Sequence, residues 1–210
     1  MKNHNDDGIA KMLDFPNVFN LWQIISGSEN AKRKIISEYV RPFKGARILD
    51  IGCGTGVALE YIVEEVKDIE YVGYDINSKY INFAKEKYKL KGRFYNSRVD
   101  KFNGLTNYFD LVMSLGVLHH LDDDESKILI SSAKDSLKTD GCFILGEPVW
   151  TDQQGYFEKF LMKRDRGQNI RNEASYLRLL SEYFFRTESI VKNGMLNIPW
   201  SISVTRNYKI

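Results

Sequence analysis

The run Arg47-Ile48-Leu49-Asp50-Ile51-Gly52-Cys53-Gly54-Thr55-Gly56 constrains this chain more than any other stretch. Ile48, Leu49 and Ile51 make a short apolar segment of the kind that a parallel sheet buries on both faces. Glycines then alternate at 52, 54 and 56, ahead of a helix-compatible stretch beginning Val57-Ala58-Leu59. A glycine turn between strand and helix tolerates positive φ and lets a ligand approach the main chain closely. The free N–H groups at the helix start attract anionic or polar ligand atoms.

Downstream of this turn, apolar runs and helical stretches alternate. Strands are expected at 46–51, 69–75, 93–96, 108–115 and 142–147, the last entered by a turn at Thr139-Asp140-Gly141. Helices are expected at about 57–66, 78–88, 124–137, 152–163 and 173–183, with Ser78 capping the second. Such alternation specifies a doubly wound, mostly parallel α/β sheet. Two β-rich runs, 186–192 and 200–208, close the chain with Asn193-Gly194 and a short loop between them. That is too little chain for a parallel crossover, so an antiparallel hairpin is expected, for a Rossmann-like sheet of seven strands. Ahead of the first strand, Phe15 to Tyr39 is patterned as one or two amphipathic helices broken near Ser26-Gly27-Ser28. Phe19, Trp22 and Ile25 share a helical face that should lie over the carboxyl edge of the sheet as a lid.

The 210 residues suit a single domain. It divides into an N-terminal lid (1–44), a ligand-binding core (45–147), an acceptor-side insertion (148–183) and the closing hairpin (184–210). Net charge is only +2, and basic residues gather in short clusters such as Lys32-Arg33-Lys34 and Lys163 to Arg166. These read as solvated helix faces or site residues, so a nucleic-acid partner is not expected. The two cysteines, Cys53 and Cys142, read as free thiols of a reducing compartment. The N-terminus is polar, and no apolar run approaches the roughly 20 residues of a membrane span. The expected location is the cytoplasm.

The glycine string, and residues 45–147 around it, resemble the class I S-adenosylmethionine (SAM)-dependent methyltransferases, whose first motif is a hydrophobic strand, Asp or Glu, then Gly-x-Gly-x-Gly. The antiparallel ending fits the same family. The resemblance implies SAM as cofactor, held by Asp50, Gly52, Cys53, Gly54 and Gly56. Asp75 ends the second strand, where an acid in a doubly wound fold bonds ribose hydroxyls, and Ile76 would lie against the adenine. At the end of the third strand the family commonly carries an Asp and then a small apolar residue. Here Arg98 stands at the Asp position and Val99 in the apolar slot, with Asp100 one residue on. Ser114 and Leu115 close the fourth strand beside the cofactor.

On the acceptor side, His119 and Glu147 are the candidate bases. A histidine of ordinary pKa titrates near neutrality, and Glu147 ends a strand where open α/β sheets place their ligands. Trp22, Arg166 and Arg171 are expected to bind the acceptor, the arginines through forks suited to an anion or to hydroxyls. The expected reaction is methyl transfer to a small molecule with an oxygen nucleophile, such as a sugar or glycan precursor, with no metal. The Asn/Asp-Pro-Pro-Tyr signature of nucleobase amino methylation is absent. Two alternatives stand beside this reading. A nicotinamide-dependent oxidoreductase would share the turn and Asp75, but its glycines usually run Gly-x-Gly-x-x-Gly. A non-catalytic SAM-binding module would keep the core and lack acceptor groups.

Overall fold

Ile48 and Leu49 are neighbours on one strand, point to opposite faces, and are both fully buried. That fact alone requires helices on both sides of the sheet. In this computed structural model, which describes residues 13–98 and 105–209, the first five strands run parallel. They are β1 (Ala46–Ile51), β2 (Ile69–Asp75), β3 (Arg93–Asn96), β4 (Phe109–Leu115) and β5 (Leu137–Trp150). A two-residue strand β6 (Arg171–Asn172) pairs with the end of β5. The closing hairpin is β7 (Arg186–Lys192) and β8 (Ile202–Tyr208), with β8 antiparallel to both β5 and β7. The order is β3-β2-β1-β4-β5-β8-β7, so the seven expected strands form one path. The direction of winding reverses between β1 and β4, which is where such sheets open a ligand crevice.

Two cores flank the sheet. On one face Ile48, Tyr71 and Met113 meet Ile36 and Val40, helix α3 (Ala58–Glu65) and helix α4 (Ser78–Tyr88). On the other, Leu49, Val112 and Phe143 meet α5 (Asp123–Ser136) and α7 (Glu173–Ser181) through Ile130, Tyr176 and Leu180. A short α6 (Tyr156–Met162) lies in the insertion.

Two local expectations are corrected. The predicted turn at 139–141 is an irregularity inside β5: the register passes from Phe109 opposite Leu137 to Leu111 opposite Cys142. The strand then runs on past Glu147, because β8 and β6 pair with its end. Helix α4 is capped by Asn77, whose side chain accepts from the N–H groups of Lys79 and Tyr80, leaving Ser78 as its first helical residue.

The N-terminal segment forms α1 (Pro16–Ser26) and α2 (Ser28–Ile35), separated by Gly27 at φ 79°. Pro16 starts α1, where its missing N–H costs nothing. The expected face of α1 holds only in part: Phe19 and Trp22 border the cavity, and Ile25 does not. Gln23 and Ser26 are almost wholly buried, whereas Ile25 is 59% exposed and Leu21 and Ile24 are similarly open. Phe19 does pack inward, stacking on Tyr80 at 4.7 Å, and Trp22 stays half exposed.

Candidate active site

The glycine turn is held from below. The N–H groups of Gly52 and Cys53 both donate to the carbonyl of Tyr74, at 2.7 and 3.0 Å. The Asp75 carboxylate accepts from Gly54 N–H and Asn77 N–H, each at 2.8 Å, and so fixes the turn against the end of β2. Burial raises the pKa of Asp75 while these N–H bonds pull it down. Two of roughly four acceptor sites on the carboxylate are thereby used, which leaves capacity for ligand hydroxyls. Gly54 has φ +56°, and a Cβ there would come no closer than 3.4 Å to Phe19 of the lid. Gly52 is different: a Cβ would strike Val117 at 2.3 Å, so packing as well as backbone requires glycine.

Asp50 lies buried beneath the turn and accepts from the Tyr71 hydroxyl at 2.5 Å. Burial pushes its pKa up to about 6, moderated by Tyr71 and by the nearby Lys32 ammonium. Burial also pushes the Cys53 thiol well up, which suits a packing side chain and not a nucleophile. Thr55 donates to Asn20 of α1 at 2.6 Å, tying the turn to the lid. Ile76, at 71% exposure, offers an apolar surface next to Asp75. Ser114 is buried and its hydroxyl has no partner among the described residues, while Leu115 borders the cavity described next. Arg98 is exposed and pairs with Glu125 at 3.3 Å. Val99 and Asp100 lie outside the described residues. The glycine cradle, the unsaturated Asp75 carboxylate and the adjacent apolar surface fit a nucleoside with vicinal hydroxyls.

Beside the turn is a cavity of about 260 Å³. Its roof is Phe19, Trp22, Gln23 and Lys32, its floor Leu115, Gly116 and Gly146 at the ends of β4 and β5. Leu196, Ile198, Trp200 and Ile202 form an apolar wall from the hairpin connection. His119, His120, Glu147, Asp165 and Arg166 also border it. The cavity therefore brings together Trp22, His119, Glu147 and Arg166 of the predicted set.

The two predicted bases form a structural lock. Glu147 is 1% exposed, and its carboxylate accepts from the N–H groups of Val117, Leu118 and His119 at 2.8, 2.8 and 3.2 Å. His119 Nδ1 donates to the same carboxylate at 2.7 Å, and Nε2 faces Asp165 at 3.3 Å. Burial works to lower the His119 pKa, but bonds and charge from Asp165 and Glu147 outweigh it and raise it to about 9. An imidazolium with both N–H groups engaged has no lone pair to offer, and Glu147 has spent its own on this loop. The geometry thus argues against either group as the base. His120 keeps an exposed edge while its ring lies 4.0 Å from that of His119, and desolvation of the packed side together with the His119 cation lowers it to about 4. At neutral pH it is an uncharged imidazole bordering the cavity.

Arg171 departs from expectation too. Its guanidinium bonds Asp123 at 2.7 Å and the carbonyls of Leu118 and Leu121 at 3.1 and 2.9 Å. It braces the outside of the 118–121 loop and does not border the cavity. Arg166 does border it, and reaches toward Asp14 at 3.5 Å. Gln23, Lys32 and Asp165 are site residues that sequence reasoning missed. Lys32 was visible only as one member of a basic cluster, and no spacing pointed to the other two.

Residues 48–141 match the family described as methyltransferase domain. Cyclopropane-fatty-acyl-phospholipid synthase of Escherichia coli is 27% identical over 121 residues, which is 58% of this chain and 31% of that protein. A ubiquinone biosynthesis O-methyltransferase of Rhizobium johnstonii is 34% identical over 88 residues, 40% of this chain and 35% of that one. The chain thus spans about a third of the length of both relatives. Among solved structures, phospholethanolamine N-methyltransferase 2 of Haemonchus contortus, in complex with phosphomonomethylethanolamine and S-adenosylhomocysteine, superposes with a TM-score of 0.75. It shares 15% identity, over 97% of this chain and 59% of that one. Residues 48–141 thus match a methyltransferase domain, and the sheet order and the glycine cradle are similar to those expected of SAM-dependent methyltransferases, with SAM the cofactor that the cradle fits.

Proposed function

We propose that this chain transfers a methyl group from SAM to a small-molecule acceptor admitted to the cavity under α1. The observation that carries the reading is the cavity's place: it lies at the carboxyl end of β4, against β5, and is roofed by a separate helix whose Phe19 also meets Gly54 of the glycine turn. Gly52, Cys53, Gly54, Gly56, Asp75 and Ile76 would hold the cofactor, with Asp50 supporting the turn from beneath. When bound, the cofactor supplies an already activated methyl group, so the chain's own task is chiefly to position the acceptor and exclude water. Trp22 and the wall of Leu196, Ile198, Trp200 and Ile202 exclude water. Arg166 offers a cation at the rim. His120 is placed to take a proton from the acceptor and pass it to solvent, in place of His119.

An oxygen nucleophile remains our reading of the acceptor atom. The mostly apolar lining favours an acceptor with a hydrocarbon or aromatic body over the sugar or glycan precursor first expected, since each buried hydroxyl would need its own partner. The test is a purified-chain assay for S-adenosylhomocysteine release across alcohols, phenols, amines and carbon acids of matched size. We expect turnover concentrated in the hydrophobic phenols and alcohols. Turnover confined to amines or carbon acids would reject the oxygen reading, and no turnover in any class would reject small-molecule transfer.

A further inference from the structure

Gln23 is 3% exposed, borders the cavity, and its Nε2 has no hydrogen-bond partner among the described residues. The amide orientation is settled by its neighbour. Lys32 Nζ lies 2.9 Å from Gln23 Oε1, and an ammonium can only donate, so the amide oxygen faces Lys32 and the NH₂ is left over. A buried amide N–H group without a partner is destabilising, because its hydration is lost and not replaced. Lys32 is similarly underused. Its neighbours Arg33 and Lys34 are exposed, with Arg33 paired to Glu64, but Lys32 is turned inward to border the cavity. Of its three N–H donors, the bond to Gln23 takes one. Burial lowers its pKa, against the opposing pull of the Asp50, Glu29 and Asp75 carboxylates. Two inward donors, one of them cationic, therefore stand side by side on the lining of the cavity.

We propose that Gln23 and Lys32 form a carboxylate-binding site, in which the Gln23 NH₂ and the Lys32 ammonium together grip one carboxylate of a bound ligand. The pairing rests on the methyltransferase reading, because two ligands of that reaction can bring the group: the cofactor through its amino-acid carboxylate, or an acidic acceptor. A carboxylate satisfies the orphan amide and compensates the ammonium in one contact, which a neutral hydroxyl cannot do.

The experiment is calorimetry on the full chain and on Lys32→Met, Gln23→Leu and Lys32→Arg, with two nucleosides. S-Adenosylhomocysteine carries the carboxylate; 5′-methylthioadenosine keeps the nucleoside and thioether and lacks the amino-acid portion. The expected result is at least a tenfold loss of S-adenosylhomocysteine affinity in Lys32→Met and Gln23→Leu, partial retention in Lys32→Arg, and unchanged 5′-methylthioadenosine affinity. The last measurement also shows that the variants are folded. A second arm titrates benzoate into the chain saturated with S-adenosylhomocysteine. Unchanged nucleoside affinity with benzoate binding lost in the variants assigns the site to an acidic acceptor. If neither nucleoside nor benzoate binding responds to the substitutions, the site does not exist. A parent chain that binds neither nucleoside overturns the cofactor reading itself, and the carboxylate site with it.

Discussion

The lock at the end of β4 makes stability depend on pH in a direction that can be worked out. His119 is buried between Glu147 and Asp165, and its pKa rises from the ordinary 6.5 to about 9. A group raised on folding binds its proton more tightly in the folded chain. Its contribution is complete below pH 6.5 and disappears as pH climbs through about 9. The difference between those two values is worth about 3 kcal/mol, an upper figure because Asp165 and Glu147 share the same interaction. Neighbouring groups confine the clean window to the alkaline side. His120 is lowered to about 4, so it removes stability as pH falls below 6.5. Asp165 is held below its ordinary range by His119, despite burial, and acts only at more acid pH still. Lys32, lowered by burial, opposes the trend at the alkaline extreme.

The assay is urea unfolding followed by tryptophan fluorescence, for the parent chain and His119→Gln, from pH 6 to pH 9.5. Gln keeps a donor toward Glu147 but cannot carry charge, and Lys32 acts equally in both chains and cancels. Lost packing contributes a constant gap between the two. The titrating part of the gap should shrink by about 3 kcal/mol, chiefly between pH 6.5 and 9. A gap that stays the same across this range would mean that His119 is not protonated in the folded chain, and would return it to the list of possible bases.

Two further outcomes follow from particular contacts. Asp75→Ala removes the acceptor of the Gly54 and Asn77 N–H groups as well as any ligand hydroxyl contact, and should weaken SAM binding by about 1.5–3 kcal/mol in calorimetry. Gly167→Ala would set a Cβ 1.9 Å from His119 Cδ2 and 2.7 Å from its carbonyl oxygen. It should lower stability by roughly 1–3 kcal/mol in thermal melts.

How much of this was legible in the sequence depended on the range of the interaction. The strands at 46–51, 69–75 and 93–96 form as read, because apolar runs flanked by Gly, Asn and Ser declare themselves locally. The role of Glu147 was not legible. Its position after an apolar strand suggested a group facing a ligand, but whether a carboxylate is free depends on what opposes it. Here three consecutive N–H groups of a loop about thirty residues upstream oppose it. The same holds for Arg171, whose partners lie 48 to 53 residues away.

The reading of helix α1 failed in part, for a different physical reason. Pattern reading assigns apolar residues to the inside, which holds when a helix packs on a hydrophobic core. Helix α1 packs over a cavity, next to a turn that is rich in backbone N–H groups. Its inward residues are Asn20, Gln23 and Ser26, which bond Thr55, Lys32 and their own helix, with Phe19 and Trp22 flanking them. A polar face turned inward is costly over a core and natural over a ligand. These inward polar residues are therefore themselves a mark of the site, and they single out Gln23, whose amide nitrogen has no partner among the described residues. Ile25, expected on the buried face with Phe19 and Trp22, is 59% exposed.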